Sequence, residues 1–228
     1  MGDKNTMEIF HIAIDGPVAS GKGTIARELS KRLGIPCLDT GALYRGVAVY
    51  VHDNNIDTNN ETAVTSALQA LRMDLKIKTN ETHVLLGGTD VTSKLRENNI
   101  SQVSSVIATY PQVRRFIVAK SQEIAKTKSF ILEGRDISSV ILPDAKYKFY
   151  LTAKTKTRAL RRQADLAGKG ITITLRDMKN QVKERDKRDM KKGGLKQVKE
   201  AIVVDSTNLD VAQTVDAFIS HMSVPAPN

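Results

Sequence analysis

The sequence predicts an α/β fold of three layers, with helices on both faces of a central parallel sheet. Three observations lead there. Glu8 to Ile14 (EIFHIAI) is a mostly apolar run of strand length, suited to burial on both faces. Asp15-Gly16-Pro17 breaks that run, and a glycine-rich turn follows. From Gly23 onward, Ile25, Ala26, Leu29 and Leu33 recur at helical spacing until Gly34 and Pro36 end the pattern. Strand, turn and helix in that order open a parallel sheet.

The later elements continue the alternation. Cys37-Leu38 is a short apolar piece, followed by a turn at Asp39-Thr40-Gly41 and a helix from Ala42 to about Asp53. A helix is expected over Glu61 to Leu71. Met73, Leu75 and Ile77 then alternate with charged residues, and Val84-Leu85-Leu86 follows a turn at Thr79-Asn80. That period of two marks a small antiparallel unit with one wet face. It places an insert at about residues 73–110, within a main domain of residues 1–72 and 111–228. Val113, Phe116, Ile117 and Ile124 mark a further helix, while Phe130 to Leu132 and Tyr147 to Leu151 read as buried strands. Long basic helices follow, broken near Gly168-Lys169-Gly170 and again at Gly193-Gly194. Ala201 to Val204 is the last strand and Asp210 to Met222 the last helix, with a frayed tail from Val224.

Composition narrows the function classes. A chain of 228 residues supports one sizeable core. No stretch has the apolar length of a membrane span. The first residues are polar and lack the apolar core of a secretory signal, and one cysteine, Cys37, forms no internal disulfide; both point to the cytoplasm. The net charge is +10, yet residues 154–199 hold 16 Lys or Arg against 5 Asp or Glu, so this segment carries the whole excess. A solvated helical face, a nucleic-acid surface and a basin for small phosphates all fit such a segment. Aromatic residues are only 4% and Trp is absent, which leaves few platforms for base stacking.

Residues 16–24 carry the first chemistry. Phosphates require many N–H donors converging on one small volume, and only a backbone that turns freely and approaches closely supplies them. Gly16, Gly21 and Gly23 suit that need, with Pro17, Val18, Ala19 and Ser20 completing the turn. The helix that begins here adds unpaired N–H groups and the positive end of its dipole. Lys22 contributes a mobile full charge for β- and γ-phosphates. The pattern departs from G-x-x-x-x-G-K-[ST] in one respect: Gly23 follows Lys22 and the hydroxyl arrives at Thr24. Thr24 is therefore placed to touch a phosphate rather than to ligate Mg²⁺ directly, and the metal leans on ATP oxygens and water, with no protein ligand. The loop makes this a P-loop NTPase-type fold, open at this point to a GTPase, a motor, a transporter ATPase or a small-molecule kinase. Asp15, ending the first strand, is a candidate contact for metal-bound water or a former of the turn.

Five separated motifs resolve the choice. GPVASGKGT ends in Gly-Thr; LDTGALYRG spans 38–46; LGGTDVTSKLR spans 86–96; EGRDISSVILPDA spans 133–145; ERDKRD spans 184–189. Together, in this order and over almost the whole chain, they resemble the bacterial cytidylate kinases. The resemblance implies Mg²⁺-dependent transfer of the γ-phosphoryl of ATP to CMP or dCMP by a monomer that uses neither nucleic acid nor membrane. Its pattern puts the acceptor phosphate on Arg45, Arg135 and Arg185 with Thr40 adding a hydroxyl, which suits the planar, bidentate donors of arginine. It puts the cytosine on Ser105, Arg114 and Asp136, and the ribose hydroxyl on Asp189. The catalytic cations it implies are Lys22, Arg135, Arg158, Arg162 and Arg185, with a mobile lid within about residues 154–170 and Lys192 in the acceptor site. Two positions depart from the family pattern: Lys192 stands where arginine is usual, losing the bidentate fork, and Ser138 stands where glycine is usual. Other acceptors (UMP, AMP or shikimate) and a nucleic-acid-stimulated ATPase are the competing readings.

Overall fold

The computed structural model describes residues 9–78, 81–191 and 194–223. Expectations for Glu8, Thr79, Asn80, Lys192, Gly193 and the tail from Val224 lie outside the described residues. The main sheet is formed by β1 (His11–Asp15), β2 (Cys37–Asp39), β6 (Phe130–Gly134), β7 (Tyr147–Thr152) and β8 (Ile202–Asp205), all parallel, in the order β2-β6-β1-β7-β8. A smaller antiparallel sheet joins β3 (Met73–Lys78), β4 (Glu81–Leu86) and β5 (Thr89–Asp90). It leans on the β2 edge of the main sheet, where Thr82 Oγ1 donates to the Cys37 carbonyl at 3.2 Å.

Helices cover both faces. On one, α1 (Lys22–Leu33) and α8 (Val211–Ser220) bury Ile25, Leu29, Val215 and Phe218 against Ile12, Ile14 and Phe149. Beyond the other face, α2 (Thr40–Asp53), α3 (Glu61–Ala67), α4 (Asn98–Ile107) and α5 (Pro111–Ala125) share one apolar cluster that includes Leu43, Val47, Val64, Ile100, Ile107 and Ile117. The hairpin of α6 (Thr155–Ala167) and α7 (Leu175–Lys191) encloses a separate small cluster of Val18, Ala159, Leu166, Met178 and Val182. The phosphate loop thus shares a core with this hairpin.

Local chemistry sets the helix ends. Gly34 closes α1 at φ +66, a left-handed conformation that glycine adopts without strain. The Asp39 carboxylate accepts from the Ala42 N–H at 3.1 Å, so the expected turn at Asp39–Gly41 is instead the first turn of α2. Asp210 and Gln213 form a reciprocal capping box that starts α8. Two differences from the sequence reading remain. The helix from Glu61 ends at Ala67 rather than Leu71. Helix α4 was not expected, because Asn98, Asn99, Ser101, Ser104 and Ser105 give it a weak intrinsic preference; burial of Ile100 and Ile107 holds it.

Candidate active site

The phosphate loop runs from the end of β1 into α1. Gly16 sits where a Cβ would come within 2.1 Å of the Leu151 carbonyl oxygen, so only glycine lets the loop pass this close to β7. Ala19 holds φ at +58 and Gly21 at +100, turning the loop back over the start of α1. Lys22 is buried, 5% exposed, and its ammonium donates to the Pro17 carbonyl at 3.0 Å and toward Ser20 Oγ at 3.5 Å. Burial, reinforced by the Arg135 guanidinium, pulls it down to about 7.

A cavity of about 350 Å³ opens beside the loop. From the loop its wall includes Val18, Ala19, Gly21, Lys22, Gly23 and Thr24. Thr40 and Arg45 enter from α2, Ser105 from α4, Arg114 from α5, and Arg135 and Asp136 from the end of β6. Arg162, Arg185 and Asp189 close it from the α6–α7 hairpin. The expected residues that do not reach the wall are Gly16, Pro17, Ser20 and Arg158; Lys192 lies outside the described residues.

Three of the cavity's arginines are held by aspartates. Arg45 Nη2 donates to Asp39 at 2.6 Å, and Arg135 Nε to Asp189 at 2.8 Å. Arg114 pairs with Asp136, whose carboxyl burial pushes up and the Arg114 guanidinium pulls down, leaving it above its ordinary value. Arg185 differs. Its Nε is buried with no hydrogen-bond partner among the described residues. Burial, then the neighbouring Arg135, pulls its guanidinium down to about 10. A buried guanidinium N–H without an acceptor is costly unless an anion joins it, although the charge of Asp189 partly offsets the burial.

Arg158, expected among the catalytic cations, does not reach the cavity wall. Its guanidinium is engaged by the Ala153 and Val18 carbonyls and the Asp186 carboxylate, behind the cavity wall. Arg161 likewise braces the loop, donating to the Ser20 carbonyl at 3.0 Å and to the Ser206 carbonyl at 2.8 Å. Asp15 is bonded to the segment that follows β6. Its buried carboxylate accepts the Ile137 N–H at 2.7 Å, the Ser138 N–H at 2.8 Å and the Ser138 hydroxyl, so it fixes the segment carrying Arg135 and Asp136. This explains Ser138: its hydroxyl adds a third donor to Asp15.

Sequence reasoning passed over Glu133 and Asp39. Glu133, the last residue but one of β6, pairs with Ile14 of β1 and is close enough to α1 that a Cβ on Gly23 would lie 3.2 Å from its Oε1. Burial, then the charge of Asp39, pushes its carboxyl up to about 7. Burial alone would raise Asp39 too, but the Arg45 guanidinium outweighs it and leaves Asp39 below the ordinary carboxylate value. The signal in the sequence was four residues, Phe130-Ile-Leu-Glu133, in which a carboxylate follows an apolar run.

Comparison with known proteins agrees with this geometry. Residues 12–223 match the family model described as cytidylate kinase. A cytidylate kinase from Caldicellulosiruptor saccharolyticus is 38% identical over 93% of this chain and 95% of its own length. One from Thermosipho melanesiensis is 37% identical over 91% of this chain and 94% of its own. A crystal structure of an uncharacterized protein from Eubacterium ventriosum aligns over 94% of this chain and 98% of its own, with a TM-score of 0.50 and 14% identity, a likeness of fold alone. A phosphate loop, a cavity walled by arginines on both sides and a match along nearly the entire sequence converge: the chain belongs to the cytidylate kinase family.

Proposed function

We propose that this chain transfers the γ-phosphoryl of ATP to CMP or dCMP, giving ADP and CDP or dCDP. The observation that carries the reading is Arg185: a buried guanidinium nitrogen with no partner among the described residues, facing the same cavity as Lys22, Arg135 and Arg162. In the proposal, residues 16–24 hold the donor phosphates, and Arg45, Arg135 and Thr40 hold the acceptor phosphate. Arg185 and Arg162 meet the charge that spreads over the transferring phosphoryl. Ser105 and the Arg114–Asp136 pair read the base: cytosine presents an amino donor beside acceptors, matching a carboxylate beside a guanidinium. Asp189, now on Arg135, takes the ribose hydroxyl. No side-chain nucleophile is needed, because the acceptor is the substrate's own phosphate oxygen and positioning does the rest.

Magnesium fits this site. Asp39 and Glu133 form a carboxyl pair near Lys22, while no group of three or more metal-ligating side chains converges among the described residues. These two would hold the ion through water, and it would neutralise charge on the β- and γ-phosphate oxygens. Residues 73–110 serve as the acceptor-binding insert of a core made by 1–72 and 111–228, with the lid within about 154–170. Ser105 on the cavity wall supports that division. The protein works as a cytoplasmic monomer on free nucleotides; among the described residues no helix is long and apolar enough to cross a membrane.

A coupled assay with ATP and each monophosphate in turn tests the reading. CMP and dCMP are expected to be the preferred acceptors. A clear preference for AMP would remove the specificity claim.

A further inference from the structure

Two arginine–aspartate pairs grip α7, and only one faces the cavity. Arg135 and Asp189 both stand on the cavity wall, where an arriving anion can exchange their partners. Arg158 and Asp186 lie behind it, 6% and 9% exposed, with Arg158 Nη2 2.7 Å from Asp186 Oδ2. Arg158 makes two further bonds to backbone. Its Nε donates to the Ala153 carbonyl at 2.9 Å, and its Nη1 to the Val18 carbonyl, inside the phosphate loop, at 3.0 Å. The other oxygen of Asp186 is buried and has no hydrogen-bond partner among the described residues, so Arg158 makes its one close ion pair there, with the charge of Arg135 adding to it.

We infer that Arg158 and Asp186 are a positioning pair for phosphoryl transfer, tying the phosphate loop to α7 and fixing the rotation of that helix so that Arg185 faces the transferring group. The inference rests on the kinase reading and deepens it. Asp186 and Asp189 are three residues apart, so the two grips fall on adjoining turns and together resist rotation of α7 about its axis. Arg185 is the neighbour of Asp186, and its aim depends on that rotation. When nucleotides draw Arg135 and Asp189 to new partners, the buried pair is the grip that stays. Charge stabilisation of a transition state works only within a narrow tolerance of position, so losing the grip lowers turnover without removing any substrate contact.

Steady-state kinetics on the full-length protein, with ATP and CMP varied in turn, test this for wild type, Asp186→Asn, Arg158→Lys and the double variant. Each single change is expected to lower kcat by about 10²-fold while leaving both KM values near wild type. The double variant is expected to be no worse than either single, because both residues serve one function. Measurements are made where circular dichroism shows each variant folded; Arg158→Lys keeps the buried charge and gives the comparison if Asp186→Asn is too unstable. An unchanged kcat would overturn the inference, as would losses that multiply in the double variant. A far larger loss for Arg158→Lys than for Asp186→Asn would also overturn it, since that is the mark of a guanidinium touching the phosphoryl. Wild-type protein that makes no CDP from CMP would overturn the kinase reading, and the role of the pair with it.

Discussion

Lys22 and Asp136 carry the residue-scale predictions. Lys22→Ala is expected to lower kcat by about 10²–10³-fold, as for other preorganised electrostatic donors; wild-type turnover would contradict the loop's assignment. Because Lys22 sits at about 7 in the free protein, much of it is neutral just above that pH. Bound phosphates favour the ammonium, so ATP binding takes up protons between about pH 7 and the ordinary lysine value, and affinity falls as pH rises through that window. Calorimetry in buffers of different ionisation enthalpy should show that uptake, and Lys22→Met should abolish it. Asp136→Ala is expected to raise KM for CMP far more than for ATP, and equal losses in a two-substrate kinetic analysis would argue against base reading. The loop, Arg45, Arg135 and Arg185 could be singled out because each lies in a contiguous motif. Asp15, Glu133 and Asp186 were not: Asp15 meets Ser138 123 residues away, and no local pattern announces such a bond.

At the scale of elements, α2 carries both Arg45 on the cavity wall and the floor of the small sheet. Gly46 lies mid-helix, where glycine is weakly unfavourable, yet a Cβ there would come within 2.9 Å of Met73 Cε and Val84 Cγ1. Its absence lets β3 and β4 pack directly on α2. Gly46→Leu is expected to destabilise the protein by about 1–3 kcal/mol in urea titrations. It should also raise KM for CMP more than for ATP, since the displaced sheet is part of the insert proposed to bind the acceptor. Most strands and helices could be read from apolar spacing and from glycine and proline punctuation, though the two-residue strand Thr89–Asp90 could not. Helix α4 could not, because its serines and asparagines argue for a loop and only tertiary burial decides otherwise. The turn expected at Asp39–Gly41 failed for the opposite reason: the aspartate that favours a turn also caps a helix.

Across the whole molecule, strand order places the chemistry. The β1 strand stands between β6 and β7, so the phosphate loop emerges beside Glu133 and Arg135 on one side and passes against Leu151 on the other. The basic hairpin folds over this edge, and its charge, ambiguous in the sequence, gathers around one cavity through Arg162, Arg185 and Arg188. What the amino-acid order could not show was the division of labour among the arginines, some facing the cavity and others bracing the loop from behind. Phosphoryl transfer as proposed depends on that division. A crystal structure with CMP and a non-hydrolysable ATP analogue tests it most directly. It should show donor phosphates in the loop of residues 16–24, Arg45, Arg135 and Arg185 on phosphate oxygens, and Arg158 still on Asp186. An empty glycine turn, or Arg45 and Arg135 directed away from any bound anion, would contradict it.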